Sequence, residues 1–504
     1  MRGLGTLSAL VAPVAAALAD GPFTTSGRWI LAGDNKTNVN LAGINWPGAG
    51  EAMIPEGLQY QSAAAIAARI QSLGMNVVRL TYATEMVDQI FANGGADIPV
   101  QKSLIAALGQ QNGTAVWEMV KRSNPQFNDN ITRLQVSFEH PSAFLLRQEL
   151  VASASKLTSL SFFRSYKKAF DTVAAELSKQ DIYVLVDNHV SKAQWCCSPL
   201  DGNSWWGDTY FSTANWTRGL TYMTEHTRDW PNLIGLSLRN ELRQPLTNIT
   251  LYQQAYNWET WYARTREGAA AIHKANPKAL VFLSGLDSDT TLQPVVEGSN
   301  LTPGKGMFRP GDYFEGAENK LVLELHSYAN IINEGLAKNC TGLKETLVQG
   351  GWSGLSTAAP GGAKVKNRMP TLMTEFGWGQ NDQEWNSNYS TCIQDFLRDD
   401  VRAGWMIWAI SGSYYIREGK QDYDEPWGIL NHDWSDWRSE KHAMGELKRL
   451  VNSTLSTTMD GAGEGGGKDS PSPSPDKKNA SESIRGSLYN FLWGVAALAI
   501  FNMV

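Results

Sequence analysis

Several chemistries are disfavoured by what this 504-residue chain has little of. Cysteine is scarce, limited to Cys196, Cys197, Cys340 and Cys392. No histidine cluster accompanies them, so a zinc site is the weaker reading and one or two disulfides the stronger. Spacing does not fix the pairing. Adjacent cysteines are poorly placed to bridge each other, so Cys196 and Cys197 are expected to reach Cys340 and Cys392. Positive charge is not in excess: 44 Lys and Arg stand against 50 Asp and Glu, a net −6. Electrostatics therefore offer no reason for a nucleic-acid partner. No glycine-rich phosphate fingerprint follows an early strand, which argues against a dinucleotide-binding, doubly wound sheet. No repeat is evident beyond an alternation of strands and helices.

What is present fits one large decorated domain. Hydrophobic residues make up 42% of the chain, a globular value, and there are 19 tryptophans. Tryptophan faces stack on flat partners, sugar rings among them, although many will be core.

The two ends read as addresses. Met1-Arg2, an apolar stretch from Leu4 to Leu18 and Ala17-Leu18-Ala19 before Asp20 describe a secretory signal peptide over residues 1–19. The stretch is too short to span a bilayer, and Pro13 opposes a spanning helix. Residues 458–487 are rich in Gly, Ser and Pro and read as a tether. The apolar end, residues 488–504, follows the small residues Asn479-Ala480-Ser481 and a polar spacer, the order of a GPI-attachment signal. A retained membrane anchor is the alternative, disfavoured because no basic stop-transfer residues follow. Sequons begin at Asn35, Asn112, Asn130, Asn215, Asn248, Asn300, Asn339, Asn388, Asn452 and Asn479. Together these features predict a glycosylated, secreted protein held at the membrane or wall.

Between the ends, residues 20–457 predict a (β/α)₈ barrel. Trp29-Ile30-Leu31 and Asn38-Val39-Asn40-Leu41 flank a turn-rich stretch and read as a hairpin leading into a strand that ends at Trp46. Ser62 to Leu73 is helical in pattern, with Gly74 placed to stop it. Val77 to Leu80 is the second strand. A long insertion follows, Thr81 to Gln180, with helical segments around Val116 to Arg122 and from Phe162 to Leu177; it is expected to sit over the barrel mouth. Strands then recur at Ile182 to Asp187, Ile234 to Leu238, Leu280 to Ser284, Leu321 to His326, Thr371 to Thr374 and Gly404 to Trp408. One long helix is expected from Tyr252 to Asn276, stopped by Pro277. Eight short apolar strands separated by helices or loops imply a closed barrel rather than an open sheet.

The strand tips carry residues that a barrel core does not need: Arg79, Asp187, His189, Asn240, Glu241, His326, Tyr328, Glu375 and Trp408. A parallel barrel gathers such tips on one face, and two carboxylates on one rim are the minimum for cleaving a glycosidic bond. Here the sequence resembles glycoside hydrolase family 5, the cellulase family of retaining barrel glycosidases, from about Asn38 to Leu450. The resemblance rests on Asn240-Glu241 at the fourth strand, Glu375 at the seventh, Arg79 after Gly74-Met75-Asn76-Val77-Val78, Val186-Asp187-Asn188-His189, His326-Ser327-Tyr328 and Trp408. It implies that Glu241 is the general acid and then base, and Glu375 the nucleophile. By the same resemblance Arg79 and Tyr328 orient that nucleophile, and Asn240 binds the sugar 2-hydroxyl. His189 and His326 would bind hydroxyls or tune the glutamates, and Trp408 would floor the subsite beside the scissile bond. Asp187 reads as a rim anchor. Trp46, Trp205, Trp206, Trp378 and Trp427 are further platforms or core. Leu238-Arg239-Asn240-Glu241-Leu242-Arg243 departs from the common pattern, which has Pro after the glutamate, and resembles a branch found in plants and fungi. Arg243 could line the far subsites or form a rim salt bridge. The expected activity is retaining hydrolysis of a polysaccharide or oligosaccharide by a monomer needing no metal or organic cofactor. A transglycosylase using the same pair and a non-catalytic glycan-binding surface protein are the rivals.

Overall fold

Eight short runs rich in Val, Ile and Leu form parallel strands that close on themselves. They are β3 (Ala42–Trp46), β4 (Val77–Ala83), β5 (Tyr183–Val190), β6 (Leu233–Ser237), β7 (Leu280–Ser284), β8 (Leu321–Ser327), β9 (Thr371–Phe376) and β10 (Trp405–Ile407). They pair in chain order, and β10 returns to β3, so the barrel has no open edge. The structure is a computed structural model; it describes residues 18–33, 37–134, 168–315, 318–330, 339–355, 364–380, 384–400 and 403–457. The expected signal peptide before Leu18, the tether and the apolar tail lie outside the described residues. Among the described residues, no helix is long and apolar enough to cross a membrane.

The barrel interior has two levels. At the N-terminal end Leu41, Val77, Leu185, Ile234, Phe282, Val322 and Met406 pack against one another, with Phe23 and Ile30 from a short hairpin, β1 (Thr24–Ser26) and β2 (Trp29–Leu31), joining the same cluster. Toward the C-terminal end the inward side chains become polar, and the chemistry lies there. The hairpin was expected between Trp29 and Leu41. Instead β2 takes Thr24–Ser26 as its partner, and only a single bridge joins Leu31 to Asn38.

Helices cover the outside, and local chemistry sets their ends. Ser62 caps the helix Ala63–Ser72 by accepting from Ala65 N, and Gly74, at φ +78°, takes the left-handed turn that stops it. The expected single helix from Tyr252 to Asn276 is two, Ile249–Ala255 and Trp258–Ala275. The break occurs because the Asn257 side chain accepts from Thr260 N and starts a new helix. The insertion after β4 contributes the helices Thr84–Ala92, Val100–Leu108 and Gln110–Ser123. It is pinned by a buried Arg133–Asp97 pair, 2.8 Å apart. Ser103 donates to Ala52 O in the loop after β3, and Gln421, in β12 (Lys420–Asp424), donates to Leu108 O. β12 pairs with β11 (Ser413–Arg417) in a hairpin that follows β10, so the insertion flanks the C-terminal mouth. Residues 135–167, which include part of the expected Phe162 to Leu177 helix, lie outside the described set; Ala169–Ser178 is helical.

The disulfide pairing differs from expectation. Cys340 bonds Cys392, Cα atoms 5.2 Å apart, joining two packed outer helices. Cys196 and Cys197 bond each other, the peptide between them being cis and their Cα atoms 3.0 Å apart.

Candidate active site

Arg79 is the hub of the mouth. It reaches the interior because β4 places it opposite Asn45 of β3 and Leu185 of β5. Its guanidinium, fully buried, donates from Nη1 to Glu375 Oε2 at 2.9 Å and to Asn45 Oδ1 at 3.1 Å. From Nη2 it donates to Asn240 Oδ1 at 2.8 Å and pairs with Asp187 Oδ1 at 2.9 Å. Burial alone would lower its pKa, but Asp187, Glu324 and Glu375 more than offset this and hold it charged.

Glu375, at the end of β9, has both oxygens occupied. Tyr328 donates to Oε1 at 2.7 Å while Arg79 holds Oε2. The two donors fix the orientation of the carboxylate. Across the mouth, Glu241 follows β6 with backbone φ +47°, a left-handed conformation that costs about 1–3 kcal/mol for a non-glycine residue and clusters at functional sites. Three contacts hold it there. Its N–H donates to Asp289 Oδ2 at 2.9 Å, its carbonyl accepts from Arg243 Nη1 at 2.7 Å, and its Oε1 lies 3.1 Å from His326 Nδ1. Burial raises the Glu241 pKa against the opposing effects of Arg243, His189 and Arg79, which favours the protonated acid. The two glutamates therefore sit in different surroundings: Glu375 is held by two donors, and Glu241 is buried with a raised pKa. One oxygen of each, with a ring nitrogen of His326, lie within 4.8 Å of one another. That spacing would suit a metal, but each of the three already has hydrogen-bond partners in the protein.

His326 is neutral, its pKa lowered to about 3 by burial. It belongs to a chain of three hydrogen bonds, each 3.1 Å: Glu241 Oε1 to His326 Nδ1, His326 Nε2 to Thr374 Oγ1, and Thr374 Oγ1 to Glu324 Oε2. Burial raises Glu324 to about 7. With Glu324 ionised, Thr374 donates to it, His326 Nε2–H donates to Thr374, and His326 Nδ1 accepts from protonated Glu241. With Glu324 protonated the chain reverses, and His326 Nδ1–H donates to ionised Glu241. The hydrogen bonds thus accommodate either state of Glu241.

The expected site residues converge on this mouth. His189 Nδ1 is 2.8 Å from Asp187 Oδ2, and its ring stacks on Trp408 at 5.4 Å. Asp187 is fully buried against Arg79 and His189, as a rim anchor should be. Tyr328 and Trp408 belong to one aromatic cluster with half-buried Trp195 and Trp427. Trp46, Trp205, Trp206 and Trp378 are buried in the outer core and are not sugar platforms; Trp427, 5.4 Å from Tyr328, stays at the mouth. Arg243 is 2% exposed and pairs with Asp201, so of its two readings the salt bridge holds. Sequence reading missed Asp289, Glu324, Trp195 and the place of the Cys196–Cys197 pair. Glu324 had a signal: two residues before His326 on one strand, it must face the same way.

A family model described as Cellulase (glycosyl hydrolase family 5) matches residues 117–413, more than half of the chain. A glycosyl hydrolase 5 family protein of Chamaecyparis obtusa is 32% identical over 428 residues, covering 83% of this chain and 64% of that relative. The chain thus spans slightly under two thirds of that relative's length. Among solved structures, the catalytic domain of the major endoglucanase from Xanthomonas campestris pv. campestris aligns with TM-score 0.51 at 18% identity, over 86% of this chain and 100% of that one. A cellotetraose complex of an endocellulase from Pyrococcus horikoshii aligns with TM-score 0.54 at 16% identity, over 86% and 100%. At these identities the two structures share the fold, and the family match carries the assignment. The chain belongs to glycosyl hydrolase family 5.

Proposed function

We propose that this enzyme is a retaining β-glycosidase that cleaves β-linked glucan chains by double displacement, in the branch marked by Arg239-Asn240-Glu241-Leu242-Arg243. One observation carries the reading: two carboxylates with oxygens within 4.8 Å of each other, one held by Arg79 and Tyr328, the other buried and favouring its proton. Retaining enzymes keep the pair about 5–5.5 Å apart, whereas inverting enzymes leave room for a water at about 6.5–9.5 Å. Glu375 attacks the anomeric carbon while Glu241 protonates the leaving oxygen. Glu241, now ionised, takes a proton from the water that releases the sugar. Asn240 would hold the 2-hydroxyl, His189 would bind a hydroxyl, His326, with both ring nitrogens engaged, would tune Glu241, and Trp408 would lie beneath the ring at the cleavage point. The family match and the names of the structural neighbours, an endoglucanase and an endocellulase bound to cellotetraose, support glucan as the substrate class. We place the enzyme outside the cell, with residues 1–19 as signal, 20–457 as the enzyme and 458–487 as a tether to a GPI or membrane-held end at 488–504.

The test is a screen of β-glucans, mannans, galactans and aryl β-glycosides, with the anomer first released read by NMR. Turnover of β-glucans with net retention is expected. Inversion, or activity confined to mannans or galactans, would overturn the corresponding half of the reading. A labelled acceptor in the same assay separates hydrolysis from transfer.

A further inference from the structure

The Cys196–Cys197 disulfide lies inside the candidate site. A sulfur from each cysteine and a carboxylate oxygen of Glu241 lie within 4.8 Å of one another, and both cysteines are partly exposed. The amide of Asn240 connects the pair to Arg79. Because Arg79 is a donor only, the atom it meets must be Asn240 Oδ1, and this fixes the flip of the amide. Nδ2 then faces the sulfurs, 3.6 Å from Cys196 Sγ and 3.5 Å from Cys197 Sγ. One N–H shared between two weak sulfur acceptors leaves the other free for a substrate oxygen.

The loop that carries the disulfide is rigidly mounted, and the residues that mount it flank Asn240 and Glu241. Arg239 donates to Asn203 O at 2.7 Å and Ser191 Oγ at 3.1 Å. Arg243 donates to Ser198 O at 3.0 Å, to Glu241 O and to Asp201. Asn203 Oδ1 in turn accepts from the N–H groups of Ser191 and Lys192. The two arginines of the Arg-Asn-Glu-Leu-Arg run thus clamp the segment on either side of the cysteines, while the Asn and Glu between them face the mouth.

We propose that the Cys196–Cys197 disulfide is a wall of the sugar subsite at the cleavage point, touching the ring with its sulfurs and holding the Asn240 amide toward the 2-hydroxyl. The proposal rests on the retaining-glycosidase reading. A disulfide there offers a polarizable surface without hydrogen-bond donors. It suits a C–H edge of the ring and leaves hydroxyl recognition to Asn240. The pair is a positioning element for Asn240 and a contact for the substrate, and takes no part in bond exchange.

The test compares wild type with Cys196→Ala/Cys197→Ala, using nitrophenyl β-cellobioside and its analogue lacking the 2-hydroxyl on the ring at the cleavage point. Cys340→Ala/Cys392→Ala is the control for loss of an outer disulfide. Losing the wall is expected to lower kcat on the full substrate about 10–100-fold, the scale of a misplaced reacting group, and to shrink the preference for the 2-hydroxyl. Adding Asn240→Ala to that variant should cost little more. A folded Cys196→Ala/Cys197→Ala protein that keeps the wild-type preference and kcat would overturn the proposal. Should that variant fold poorly, the Cys340→Ala/Cys392→Ala protein supplies a second measurement. Dithiothreitol converts its remaining disulfide to two thiols, itself becoming the cyclic disulfide, and saturating cellotetraose should slow that exchange at least several-fold. Equal rates with and without cellotetraose would also overturn the proposal. Failure of the underlying reading looks different: wild type would then hydrolyse no β-glycoside, or Glu375→Ala would retain full rate.

Discussion

Arg79 donates from Nη1 to Oε2 of Glu375 across 2.9 Å, and both groups are buried in the mouth of the barrel. The same guanidinium also serves Asn45, Asn240 and Asp187. A lysine is a point charge on a flexible stem and cannot occupy these positions together. Arg79→Lys is therefore expected to lower kcat by about 100-fold or more, beyond the effect of Tyr328→Phe, which removes one donor and should cost about 100-fold. Steady-state kinetics beside a thermal melt checks both. Equal activity of Arg79→Lys and wild type would remove Arg79 from its role.

The pH profile follows from the raised pKa of Glu241. On the proposed mechanism the acid form works in the first step, so kcat/KM should fall as pH rises through that pKa. Glu324 shifts where this happens. Once ionised, above about 7, it is a buried negative charge that opposes a second one on Glu241. Glu324→Gln removes the charge at similar shape, so the basic limb should move to lower pH. An unmoved or upward-shifted limb would show that the chain through His326 and Thr374 does not link the two carboxyls.

His442 gives an acid-stability prediction away from the chemistry. Burial beside Trp378 and Trp385 lowers its pKa from 6.5 to about 4. Between those values the unfolded chain takes up a proton that the folded protein refuses. The stability that neutral His442 contributes is therefore present above 6.5 and lost as pH falls toward 4, on the order of 3 kcal/mol. Melting temperatures of His442→Phe should depend less steeply on pH across this window than those of wild type, whatever the absolute offset. Parallel curves would contradict the assignment.

Trp427 tests the aromatic rim. It is half-buried beside Tyr328, in a cluster with Trp408, Trp195 and Ala409. Trp427→Ala is expected to raise KM for a long glucan about 3–10-fold with a smaller change in kcat, as loss of a stacking surface would. A selective loss of kcat would place Trp427 with the reacting groups instead.

The barrel was legible because period and punctuation agree along most of the chain. The runs around Ile44, Val78, Val184, Ile234, Val281, Val322, Leu372 and Met406 are the eight strands, and their polar tips name most of the candidate site. What was missed has specific causes. Glu324 lay inside an apolar run, and only its two-residue offset from His326 marks it as facing the mouth. Asp289 sits in the left-handed turn after β7 (Asp287–Asp289), where no periodicity carries information. The break at Asn257 is a capping event that a continuous helical pattern hides. The cysteine pairing joins sequence neighbours, Cys196 and Cys197, which no spacing rule exposes.

The most direct test of the central claim is to trap the covalent intermediate. A dinitrophenyl β-cellobioside bearing fluorine in place of the 2-hydroxyl at the cleavage point slows release of the glycosyl-enzyme. Peptide mapping by mass spectrometry should then find one cellobiosyl-sized adduct on the peptide containing Glu375, absent from Glu375→Ala. An adduct on another residue, or steady turnover of glucan with inversion and no adduct, would contradict the assignment of Glu375 as nucleophile.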